Sequence, residues 1–165
     1  MVDLSEFEPQ VLALADALRA RGWQLAAAES CTGGLIAAAC TAVAGSSDWF
    51  ERGFVTYSNA AKTELLGVDA ALIAAQGAVS EPVARAMASG ALARAPVQVA
   101  LAVTGIAGPG GAAPGKPVGT VWLALALAPG RVNAWRLQLA GDRAAVRAQT
   151  VRAALHVVLD ALAGA

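Results

Sequence analysis

Trp23–Gly45 reads WQLAAAESCTGGLIAAACTAVAG, and the fold turns on how it is divided. The short apolar run from Trp23 to Ala28 predicts a buried strand. The stretch that follows is rich in helix formers and closes on Gly45, so it predicts a helix from about Thr32 to Val43. A strand therefore feeds a helix through Ser30–Gly34. The first amides of such a helix have no intrahelical acceptor and carry the positive end of its dipole, so the junction is where a phosphate or an oxyanion would be stabilised.

Working outward, helical periodicity runs from about Leu4 to Arg21 and stops at Gly22. RGFVTYS at 52–58 has strand composition, and NAAKTELLG follows as a short helix with Asn59 as N-cap and Gly67 as stop. VSEPVARAMASGALARA at 79–95 reads as a helix with Ser80 as N-cap, and VQVALAVTG at 97–105 as a central strand buried on both faces. The next fourteen residues, IAGPGGAAPGKPVG, hold five glycines and three prolines and form a loop. GTVWLALAL and VNAWRLQL flank the turn signal APGR as a hairpin, and a final amphipathic helix begins at a capping Asp142. The expected fold is a single α/β domain over 1–165, a three-layer α/β/α sandwich around a mixed, mostly parallel sheet of five to six strands. In such sheets ligands collect at the carboxyl ends of parallel strands, and Ser30, Tyr57 and Thr104 each lie at or just past such an end.

Composition narrows the chemistry. Hydrophobic residues make up 57% of the chain and the mean hydropathy is +0.56, but alanine supplies much of this. No uninterrupted apolar run approaches the ~20 residues that cross a bilayer, and the acidic start MVDLSEFEPQ lacks the pattern of a signal peptide, so a cytoplasmic protein without a membrane partner is expected. Twelve basic residues cancel twelve acidic ones without clustering, which argues against a nucleic-acid partner. Two cysteines, Cys31 and Cys40, and one distant histidine, His156, do not make the paired spacings of a zinc site, so neither metal nor cofactor is expected. Cys40 reads as a small buried apolar residue.

Ser30 is either a nucleophile or the ordinary cap of the helix after it. Its base cannot readily be His156, late in the last helix, and no G-x-S-x-G elbow is present. Lys62 is the alternative, provided its pKa falls by roughly three units from ~10.4, worth about 4 kcal/mol, as burial can achieve. Most lysines in a pattern such as AAKTELL are solvated, so that role has a bland rival. Cys31 and Ser58 are competing nucleophiles, Tyr57 an orienting or stacking residue, and Arg143 an anion-binding one or a plain helix-start arginine. The loop GIAGPGG matches neither the P-loop nor the dinucleotide fingerprint.

Together AESCTGGLIA (28–37), GSSDWFERGFVTYSNAAKTELLGV (45–68), GAVSEPVARAMASGA (77–91), VTGIAGPGG (103–111), KPVGTVW (116–122) and GDRAAVR (141–147) resemble the CinA C-terminal-domain family, in order and spacing, over most of the chain. Within that family the likeness is to the stand-alone amidohydrolases. The resemblance implies hydrolysis of the carboxamide of nicotinamide mononucleotide to nicotinate mononucleotide and ammonia, by a metal-free serine-lysine mechanism, in a homodimer of α/β/α fold. It maps Ser30 to the nucleophile and Lys62 to the base. Tyr57, Thr104 and Arg143 map to activating and substrate-positioning positions; read physically, amides near Thr32, Gly33 and Gly34 would stabilise the oxyanion, and Lys62 or Tyr57 would protonate the departing ammonia. Arg143 or the loop from Gly105 to Gly111 would hold the phosphate. A non-catalytic nucleotide-binding module, or an amidohydrolase of other preference, remains the alternative.

Overall fold

The strand from Leu25 to Glu29 (β1) has every residue buried. In the computed structural model, which describes residues 1–164, it pairs in parallel with Phe50–Val55 (β2) on one side and Val99–Gly105 (β3) on the other. Thr120–Leu127 (β4) runs antiparallel to β3, and Arg131–Gln138 (β5) antiparallel to β4. The order is β2-β1-β3-β4-β5, so only β4 runs against the other strands. Five strands form the sheet, within the range expected, and the hairpin turns at Ala128–Gly130 as the APGR signal predicts.

What reads as a uniform apolar run in β3 and β4 carries an alternation of size. Leu101, Val103, Leu123 and Leu125 point to one face, where they pack with Leu14 and Leu18 of the helix Glu8–Arg21 (α1), Ile36 and Cys40 of Leu35–Thr41 (α2), and Leu155 and Val158 of Arg143–Ala163 (α6). Ala100, Ala102, Ala124 and Ala126 point to the other. That face of alanines, flat and shallow, receives Val83, Ala84, Met87 and Ala88 of Glu81–Arg94 (α5), with the helices Asn59–Leu66 (α3) and Ala70–Gln76 (α4) beside it. Each large side chain buried on the first face is worth roughly 1.5–3 kcal/mol. Alanine contributes less per residue but lets α5 lie close.

Several boundaries differ from expectation for local reasons. Residues Leu4–Phe7 form a 3-10 turn ahead of α1, with Asp3 accepting from Ser5 N. The cap of α3 is Ser58, not Asn59: its Oγ accepts from Ala61 N at 3.0 Å, and β2 ends at Val55 instead of running to Ser58. Ser80 stands at the start of α5 but makes no cap bond, its hydroxyl donating instead to Gly77 O at 2.8 Å. Helix α4 was not anticipated; Asp69 caps it by accepting from Ala71 N. Among the described residues no helix is long and apolar enough to cross a membrane.

One glycine shows how tightly the second face is packed. A Cβ at Gly90 in α5 would lie 2.0 Å from Leu66 O at the end of α3. Helix propensity alone favours alanine by about 1 kcal/mol, but a clash with backbone cannot be relieved by a rotamer change. Gly90→Ala is expected to lower the unfolding free energy by about 1–3 kcal/mol, read from urea titration monitored by circular dichroism.

Candidate active site

Because β1, β2 and β3 run the same way, their carboxyl ends share one edge of the sheet, and the chain leaves them at Ser30, Thr56–Tyr57 and Thr104–Gly105. A cavity of about 260 Å³ opens there, lined by Ser30, Cys31, Tyr57, Lys62, Thr104, Gly105 and Arg143, with Ala78, Val79 and Ala107 as apolar wall. A hollow of about 330 Å³ between α3 and α4 shares Asn59 with it but holds neither Ser30 nor Lys62. The convergence expected from topology is present.

Within the cavity Lys62 reaches from α3 to the end of β1. Its side chain is only 1% exposed, and Nζ donates to Thr56 O at 2.8 Å and to Ser30 Oγ at 3.0 Å. Desolvation pushes its pKa below the ordinary lysine value, the nearby Cys31 pulling weakly the other way. A neutral amine 3.0 Å from a buried hydroxyl can accept its proton. The bland reading of Lys62 as a solvated surface residue therefore fails.

The rivals separate just as clearly. Burial pushes the Cys31 thiol up to about 11, with Glu29 adding to the rise, so the thiolate is scarce at neutral pH. Ser58 is exposed, spends its oxygen on capping α3, and does not line the cavity. His156 is exposed on α6 and faces Asp160 at 3.2 Å. Among the described residues no three His, Cys, Asp or Glu side chains come together as a metal site requires.

The junction itself is built differently from the sequence reading. Helix α2 begins at Leu35, and residues before it form a tight turn in which Ser30 N donates to Val103 O at 3.1 Å and Gly33 N to Ser30 O at 3.0 Å. The backbone has φ of 58° at Gly33 and 99° at Gly34, a region that residues with a Cβ rarely enter. The helix-start amides expected to await an anion are already taken: Glu29, wholly buried, accepts from Ile36 N at 2.8 Å and Ala37 N at 3.0 Å. Thr32 does not face the cavity; its hydroxyl donates to Glu29 Oε1 at 2.6 Å and its carbonyl accepts from Arg147 Nη2 at 2.9 Å. Gly33 and Gly34 likewise lie outside the cavity lining, and the Gly33 amide is spent on the turn.

At the open side Arg143, first residue of α6, donates from Nη2 to Tyr57 Oη at 3.0 Å and from Nη1 to Gly108 O at 2.9 Å. Thr104 Oγ1 donates to Ala78 O at 2.9 Å and so ties β3 to the segment before α5. A second hollow, about 500 Å³, adjoins along Ala107 and Arg143. Sequence reasoning overlooked Glu29, Thr56 and Arg147. An acidic residue closing a wholly apolar strand was a usable signal for the first, and the i, i+4 arginines of GDRAAVR for the last; nothing marked the carbonyl of Thr56.

The CinA C-terminal domain family matches residues 8–162. A protein of Enterobacter agglomerans named nicotinamide-nucleotide amidohydrolase PncC is 56% identical over 143 residues, 87% of each chain. A CinA-like protein of Mycolicibacterium gilvum is 57% identical over 87% of this chain, which spans 34% of that longer protein. Among solved structures, a competence-damaged protein (CinA) superfamily member from Klebsiella pneumoniae superposes with a TM-score of 0.92 at 40% identity, covering 99% of this chain and 100% of that one.

Proposed function

This chain belongs to the CinA C-terminal domain family, and from that premise we propose that it is an amidohydrolase converting nicotinamide mononucleotide and water to nicotinate mononucleotide and ammonia. The observation that carries the reading is the buried pair: Lys62 Nζ 3.0 Å from Ser30 Oγ at the floor of the cavity. The naming of a 56% identical relative as a nicotinamide-nucleotide amidohydrolase supplies the substrate.

In this mechanism neutral Lys62 takes the proton of Ser30 as Oγ bonds to the carboxamide carbon and the carbonyl electrons move onto oxygen. Thr32 and Gly34 lie outside the cavity lining and the Gly33 amide is spent on the turn, so none of these three amides is taken as the oxyanion donor. The lysine ammonium then protonates the leaving nitrogen, the carbon–nitrogen bond breaks, and ammonia departs from an acyl ester on Ser30. Water attacks the ester with Lys62 again as base, the acid leaves, and Ser30 regains its proton. Arg143 and the loop from Gly105 to Gly111 hold the phosphate end, and Thr104 supports the wall beside the ring. The same reading has the chain act as a homodimer in the cytoplasm on this small molecule alone.

Ammonia release by the purified protein from nicotinamide mononucleotide, against nicotinamide and its riboside, tests the assignment. Turnover of the nucleotide alone is expected; no release from any of the three would return the chain to the class of nucleotide-binding modules. Tyr57 refines the picture. Being 60% exposed, with its hydroxyl accepting from Arg143, it positions that guanidinium more than it moves protons. Tyr57→Phe is expected to raise KM about fivefold, the equivalent of ~1 kcal/mol for one lost hydrogen bond, with kcat little changed in steady-state assays. A loss confined to kcat would make Tyr57 the proton donor.

A further inference from the structure

Glu29 has no part in the proton transfers above, yet its hydrogen bonds lead to both ends of the reacting pair. Its carboxylate, 0% exposed, is held by neutral donors only a few residues ahead: the Thr32 hydroxyl, Ile36 N–H and Ala37 N–H. These bonds close a ring around the turn that carries Ser30. Its carbonyl accepts from Thr56 N at 2.8 Å, and the carbonyl of Thr56 accepts from Lys62 Nζ at 2.8 Å. Side chain and main chain of one residue thus reach the nucleophile's turn and, through Thr56, the base. A buried carboxylate is costly unless its lone pairs are met, so it resists any movement that would lengthen these bonds.

The geometry points to Glu29 as the positioning residue of the nucleophile: acting through the Thr32 hydroxyl and the first amides of α2, it sets the Ser30 to Lys62 separation that the reaction needs. The inference rests on the amidohydrolase reading for its substrate but not for its geometry. The carboxylate is a strut, and the α2 N-terminus is its anchorage, not a ligand site.

Glu29→Gln keeps the volume but turns an NH2 group toward the Ala37 N–H, and Thr32→Val removes the hydroxyl while leaving Glu29 in place. For Glu29→Gln, kcat with nicotinamide mononucleotide is expected to fall on the order of 10²-fold while KM stays within about twofold, as befits misplacement of a reacting group. Thr32→Val is expected to fall in the same direction, and the double variant to be no worse than Glu29→Gln alone, because both act through one hydrogen-bonded unit.

A second readout needs no substrate: the rate at which an alkyl fluorophosphonate modifies Ser30. There the Oγ–P bond forms, the P–F bond breaks, fluoride leaves and the proton passes to Lys62. That rate is expected to fall in parallel with kcat. A lower urea midpoint with kcat and labelling rate unchanged per folded molecule, or a change in KM alone, would make Glu29 a structural residue and overturn the proposal. If Glu29→Gln does not fold, Thr32→Val decides by the same criteria. A wild type that labels but releases no ammonia defeats the substrate assignment and leaves the labelling rates to judge Glu29. A wild type inert to both defeats both readings.

Discussion

Ser30→Ala is expected to remain folded and to lose kcat for ammonia release by on the order of 10⁴- to 10⁶-fold, about 5–8 kcal/mol of barrier. The loss is large because no other group can take over. Cys31 stays a thiol with its pKa pushed up to about 11, and Ser58 lies outside the cavity. The fold is expected to survive because the change deletes one oxygen at a site 8% exposed, and Lys62 keeps Thr56 O as a partner. The stability cost is then about 1 kcal/mol, the ordinary value of one hydrogen bond. Single-turnover ammonia measurements on protein checked by circular dichroism would read both halves. Turnover within tenfold of wild type, far less than the loss of a covalent nucleophile costs, would remove Ser30 from the mechanism and bring Cys31 back.

Lys62→Met is expected to lower kcat on the order of 10²- to 10⁴-fold, the usual reach of a general base, and also to change how stability depends on pH. In the folded protein desolvation holds the lysine pKa below its unfolded value. The unfolded chain therefore binds the extra proton over the window between the depressed folded value and about 10.4. There the unfolded state carries more protons than the native one, so native stability rises with pH. Below the window the full cost of burying the amine is felt, and above it the cost vanishes. Urea midpoints taken at increasing pH up to about 10 should climb for the wild type relative to Lys62→Met. The wild-type kcat/KM should rise over the same range as the base deprotonates, with its midpoint below the ordinary lysine value. Parallel stability curves, or a rate midpoint at or above about 10.4, would show that Lys62 is not held neutral by its surroundings.

Much of this site is legible in the residues alone. A short apolar strand, a serine, two glycines and a run of helix formers suffice to place Ser30 at a carboxyl end, because strand burial and helix termination are local effects. Lys62 was legible as the candidate base by elimination, His156 lying too far along the last helix. What could not be read is the use made of the helix start. Local rules say its amides are unpaired; only the return of Glu29 over its own turn shows that they are filled from within. Helix α4 escaped because AALIAAQ carries little amphipathic signal and is settled by packing against α5. The alternation of large and small residues in β3 and β4 was in plain view, yet a reading by hydropathy treats alanine and leucine alike, and only shape separates the two faces.

The Ser30 amide is bonded to Val103 O on the central strand, while Tyr57 and Arg143 sit exposed at the rim. Hydrogen exchange is expected to place these in different cooperative units, the first opening with the sheet and the second by local fluctuation at little cost. Warming or mild denaturant would therefore erode affinity for the nucleotide well before it disturbs the nucleophile, and a protein that has stopped binding its substrate would still hold an armed serine.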